Sequence, residues 1–148
     1  MKSIFLVDVK YDNFGDEGNL RVVSETHMVD AISHTEAEAR IVEEMRAFIN
    51  GEFQVVSIKR ARISEIFTND IGGRWYRCKV IFIELDEEKG VQKKIPATMM
   101  VQAVDIEDSI QILIEAMKGT MADWELAQVT ETKIHEFFKY DPDGTDSI

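Results

Sequence analysis

A chain of 148 residues, 45% hydrophobic and 30% charged, is long enough to bury a core and too short for more than two small domains. Its net charge of −11, spread over both halves, repels duplex nucleic acid and anionic membrane at long range, and suits solubility better than imitation of DNA. No apolar run approaches the ~20 residues of a membrane helix, and Cys78 is the single cysteine, so no intrachain disulfide forms and a cytoplasmic protein is expected.

Ile4 to Tyr11 reads as a strand, with Phe5, Val7, Val9 and Tyr11 on one face and Ile4 and Leu6 on the other. Residues 12–19 are turn-rich, and Leu20 to Ile32 returns as the second arm of a hairpin. Ser33 and Glu36 have the spacing of a capping box, opening a helix whose apolar stripe is Ala37, Ile41, Met45 and Phe48. Asn50-Gly51 ends it. Phe53 to Phe67 is expected to be one long third strand, and residues 69–73 a hinge.

The order then recurs. Thr26-His27-Met28-Val29-Asp30-Ala31 is echoed by Thr98-Met99-Met100-Val101-Gln102-Ala103, and each passage leads into a helical pattern that reaches Met45 or Met117. Tyr76, Cys78, Val80 and Phe82 take the places of the first strand's inner residues. Asp105 takes the cap, and Ile106, Ile110, Leu113, Ile114 and Met117 form the second helix's stripe. Trp124 to Phe138 matches Phe53 to Phe67. The expected fold is α+β: a tandem duplication of a strand–strand–helix–strand unit with pseudo-two-fold symmetry, its sheet mainly antiparallel with helices on one face. The expected organisation is a single domain made of two repeats, about 4–67 and 75–138, with residues 139–148 a flexible acidic tail.

Several stretches resemble a known family: Ala31 to Met45, Gly51-Glu52-Phe53, Ile58 to Ala61, Arg74 to Val80, and Gly119 to Trp124. Together they are similar to a domain-of-unknown-function family of short proteins from Bacteroidetes and their phages, over about residues 4–138. The resemblance implies a cytoplasmic accessory protein, phage- or prophage-encoded, and brings no activity, ligand or catalytic residue with it. The family's aromatic-x-x-Cys-Lys pattern occurs here only in the second half, at Trp75 to Lys79, so Cys78 is not expected to belong to a cysteine pair.

Candidate chemistry is sparse. The glycines at 15, 18, 72 and 73 sit in turns without the Lys and following helix of a phosphate loop. His27, Asp30 and His34 are suitable metal ligands, but they straddle a strand end and a helix cap, and the repeat puts Met99, Gln102 and Ile106 in their places. Asp141 to Asp146 has the look of a calcium loop but lacks the closing Glu. Cys78 sits among apolar neighbours, where a thiol is inert. No nucleophile–base order, cofactor motif or metal set emerges, so no cofactor is expected and the balance leans away from an enzyme.

Two functions remain, of different classes. The first is a non-catalytic accessory or binding protein acting through a protein interface, as a homodimer or on another protein, by an apolar face of Ile4, Leu6, Trp75, Ile81 and Ile83. The alternative is a nucleic-acid or nucleotide-interacting protein, using Lys59, Arg60, Arg62, Arg74, Arg77 and Lys79 on the third and fourth strands. Against the alternative stands charge pairing: Glu131 occupies in the second half the place that Arg60 has in the first.

Overall fold

The structure, a computed structural model, describes residues 3–14 and 18–139. It is a mixed α+β arrangement of eight strands in two four-stranded sheets and two helices. Two compact units account for it, one made of the described residues up to Ala61 and from Ile134 onward, the other of residues 62–133. The compact units are thus drawn from the chain differently from the two repeats expected at about 4–67 and 75–138.

Unit 1 begins with the hairpin β1 (Ser3–Phe14) and β2 (Leu20–Ala31), paired antiparallel with Phe5 opposite Val29, Val7 opposite His27 and Val9 opposite Glu25. Helix α1 (His34–Phe48) follows, and then β3 (Phe53–Ala61), antiparallel to β1 with a bulge between Asp8 and Val9. As the alternation predicts, Phe5, Val7 and Val9 are buried against Ala37, Ile41 and Met45 of the helix. Burial of these side chains is the main force holding the layer together. Ser33 caps α1 by accepting the Glu36 N–H at 3.1 Å. The expected stripe fails at one place: Phe48, the last residue of the helix, is 72% exposed.

Unit 2 contains β5 (Arg74–Asp86), β6 (Val91–Ala103), α2 (Ile106–Ala116) and β7 (Asp123–Glu131) in that order. The β5–β6 turn closes through Gly90, whose φ of 64° lies in the left-handed region and whose N–H donates to the Asp86 carbonyl. Asp105 caps α2 by accepting the Asp108 N–H at 2.8 Å, and Asp108 accepts the Val104 N–H in return. Tyr76, Cys78, Val80, Met99 and Val101 pack against Leu113 and Met117. The expected stripe is narrower than drawn: Ile106 and Ile114 are exposed, while Ser109 is fully buried, its hydroxyl donating to the Ile106 carbonyl at 2.6 Å. Gly72 lies where a Cβ would come within 2.7 Å of the Ala103 backbone, so the approach to β5 depends on the missing side chain.

The long third strand expected from Phe53 to Phe67 is two strands. After Ala61 the chain leaves the first sheet, and β4 (Glu65–Phe67) pairs parallel with β6 in the second. The counterpart from Trp124 to Phe138 breaks after Glu131, where the Thr132 N–H and hydroxyl both donate to the Trp75 carbonyl, and β8 (Ile134–Phe138) pairs parallel with β2. The sheet orders are β3-β1-β2-β8 and β4-β6-β5-β7. Neither crossing contains a Gly or Pro, so local sequence gives no punctuation there. The expected acidic tail lies, apart from Lys139, outside the described residues, as does the stretch from Asp141 to Asp146. Among the described residues no helix is long and apolar enough to cross a membrane.

Candidate functional site

In unit 2 the alternation of β5 turns Tyr76, Cys78 and Val80 towards α2 and therefore turns Arg77 and Lys79 to the opposite face. Register supplies their neighbours. Arg77 lies opposite Thr130 of β7, and Lys79 lies between Thr98 of β6 and Gln128 of β7. The segment that leaves β3 runs alongside, held by the Ser64 N–H donating to the Thr98 carbonyl at 2.7 Å. That bond brings Arg62 to the same place. Arg62, Ser64, Arg77, Lys79, Thr98 and Gln128 share the lining of one cleft of about 570 Å³.

All three cations are exposed, and among the described residues none of them forms an ion pair. In a chain of net charge −11, three unpaired cations facing one concavity are conspicuous. Their companions are hydroxyls and an amide, which donate as well as accept, so the cleft is rich in donors. Such a set matches phosphate oxygens, which arginine takes in a bidentate fork and lysine as a point charge.

The other three basic residues are elsewhere. Lys59 and Arg60 are on β3 in unit 1, where Lys59 adds to the attraction on the Asp8 carboxylate and the Arg60 guanidinium lies 5.5 Å from the Phe5 ring centroid. Arg74 is committed to Glu131, at 3.7 Å, and Tyr76 donates to the same carboxylate at 3.4 Å. Glu131 therefore answers Arg74 and not Arg60, because cross-strand pairing within unit 2 sets its neighbour. Of the expected apolar face, Trp75 is 1% exposed and Ile4, Leu6, Ile81 and Ile83 are half-buried. Arg77 and Lys79 fall on that same face of β5, so the apolar run is interrupted by two charges.

Unit 1 holds a second concavity, of about 530 Å³, beside the last turn of α1. The Tyr11 hydroxyl donates to Glu25 at 2.7 Å, and His27 Nε2 lies 3.1 Å from the other oxygen of the same carboxylate. The Phe138 ring stacks on His27 at 5.3 Å, and His135 lies 5.8 Å from it. Burial pushes the His27 imidazole below its ordinary pKa, against the opposing pull of Glu25, so the ring is neutral at pH 7. Burial works to raise Glu25, but the Tyr11 and His27 hydrogen bonds and the two histidines outweigh it and hold the carboxyl low. Its bond to Glu25 raises the Tyr11 hydroxyl.

Of these residues the sequence singled out only His27, as a candidate metal ligand. Tyr11, Glu25 and His27 share a face by hairpin register, a signal present in the sequence, but β8 arrives from more than a hundred residues away and carries no local cue. Of the metal candidates, His34 packs edge-on against Phe5 at 4.8 Å and His27 is engaged by Glu25. Among the described residues no three His, Cys, Asp or Glu side chains are grouped to hold a metal ion. Cys78 is buried, and burial pushes its thiol up to about 11, which leaves it unreactive at neutral pH.

A two-unit α+β protein with a donor-rich cleft on one sheet face and a carboxylate–imidazole cavity in the other unit is the class these observations define. The chain belongs to the family DUF4494, a domain of unknown function, which matches residues 3–140. No curated protein matches the chain.

Proposed function

We propose that this protein is a non-catalytic binding protein whose unit 2 cleft holds a phosphorylated ligand of the nucleotide class. The observation that carries the proposal is the convergence of Arg62, Arg77 and Lys79, without carboxylate partners among the described residues, in one cleft of about 570 Å³. That volume suits a small molecule, and the acidic chain as a whole disfavours the long phosphate run of a duplex. Trp75, buried at 1% exposure, offers no platform on which a base could stack, so recognition is by phosphate and not by base.

The test is calorimetric titration with nucleoside triphosphates at low salt. The parent should bind, and Arg77→Gln with Lys79→Gln should weaken binding by about tenfold or more, since each charge-assisted bond contributes roughly 1.5–3 kcal/mol. Binding by neither protein, or equally by both, contradicts the proposal.

Action through a protein interface has less to stand on, because its five expected residues are already buried or half-buried in the single chain. The setting that goes with the proposal is a cytoplasmic accessory protein of Bacteroidetes or their phages. It rests on the family resemblance and on the lone buried thiol, which suits a reducing compartment. A tandem duplication is part of the same account, supported by the like order of the two sheets and by bulges between Asp8 and Val9 and between Lys79 and Val80.

A further inference from the structure

The unit 1 cavity is independent of the phosphate cleft and has the opposite chemistry. Tyr11 uses its proton on Glu25, and because a carboxylate only accepts, His27 Nε2 carries a proton for the same group. The lone pair of that ring is then on Nδ1, which is buried and has no hydrogen-bond partner among the described residues, in a side chain 2% exposed. The charged groups on the walls are all carboxylates, those of Asp12, Glu25 and Glu136, beside the neutral amides of Asn13 and Asn50 and the His135 ring. No Lys or Arg is among the described lining residues.

Two further features have the same sign. Met45, Phe48 and Ile49 bring the C-terminal end of α1 to the cavity, and a helix ends there in carbonyls that carry partial negative charge. Phe48 and Phe138 supply aromatic surface, which attracts a cation at its face. The 72% exposure of Phe48 places a large apolar ring in water at the lip.

Packing does not require this polarity. In the second hairpin Val80 lies opposite Ala97 and Cys78 opposite Met99, apolar residues where the first hairpin puts Glu25 opposite Val9 and His27 opposite Val7. A sheet of this plan therefore closes on its helix without a carboxylate or an imidazole at those places.

We propose that the cavity of Tyr11, Glu25, His27 and Phe138 binds a small organic cation, an amine with an apolar body. Its ammonium group meets the Glu25 carboxylate and the end of α1, and its body lies along the aromatic wall. The size of the cavity admits a ligand of one ring or a short chain.

The probes are three molecules of one shape and different charge: benzylamine, benzyl alcohol and benzoate, followed through the imidazole resonances of His27 and His135. Benzylamine should shift both in a saturable way, the alcohol should bind at least about tenfold more weakly, and benzoate should not bind, as loss of one charge-assisted contact requires. Glu25→Gln should weaken benzylamine by a similar factor. If that variant does not fold, exposed Glu136 takes its place, and Glu136→Gln should weaken the amine while leaving the amide spectrum intact. Equal binding of amine and alcohol, no saturable shift with the amine, or unchanged affinity in the folded variant overturns the proposal.

Discussion

Asp8 and Glu25 sit on opposite faces of the same hairpin and are both held as anions. Thr26 and Ser57 donate to Asp8 at 2.6 and 2.8 Å, joining three strands through one carboxylate, and with Lys59 they lower its pKa although burial opposes them. A carboxyl depressed in the folded state stabilises the protein above its unfolded pKa, and that contribution is lost as pH falls through the lower folded value. His27 adds an earlier loss. Its folded pKa is below the unfolded value of about 6.5, so the unfolded chain takes the proton first and stability falls as pH drops below that point. Denaturant midpoints should therefore decline in two stages, one starting near pH 6.5 and one in the carboxylate range. His27→Met, which introduces the residue type of Met99, should remove the first stage and leave the second. A first stage that persists unchanged in His27→Met would assign it elsewhere.

At the scale of elements, α2 is the sharper test of packing, since one face carries Leu113 at 0% exposure and the other carries exposed Glu107. Leu113→Ala should cost about 2–5 kcal/mol as a large-to-small change in a filled core, and Glu107→Ala should stay within about 0.5 kcal/mol. Equal denaturant midpoints would mean that the helix is turned the other way. Both helices, both hairpins and the inward faces of β1 and β5 were legible in the sequence because each depends on neighbours. Ser33 and Asp105 cap the helices that begin beside them, and Phe5, Val7 and Val9 share a face by the two-residue period. The width of the helical stripes was not legible, since Phe48 and Ile106 keep the helical period yet are exposed at the last position of α1 and the first of α2. Nor were the breaks after Ala61 and Glu131. The pairing of β4 with β6 and of β8 with β2 joins residues far apart in sequence, and a strand pattern that continues through Ile63 gives no warning of it.

For the molecule as a whole, the balance of charge and its placement point to different things. A net charge of −11 argues against any phosphate ligand, while Arg62, Arg77 and Lys79 make one place an exception. The sequence placed Arg77 and Lys79 on one face correctly, by alternation alone. It grouped them with Lys59, Arg60 and Arg74, because nothing local says that the chain changes sheets between Ala61 and Glu65 and carries Arg62 to the second. Residues brought together by that crossing are the part of the candidate site that pattern cannot reach. The most direct measurement tracks the arginine side-chain Nε–H resonances during titration with a nucleoside triphosphate. Arg62 and Arg77 should shift together and saturate, while Arg60, over the Phe5 ring, and Arg74, paired with Glu131, stay in place. Shifts at Arg60 and Arg74 with none at Arg62 and Arg77, or no shift at any of the four, would contradict the cleft.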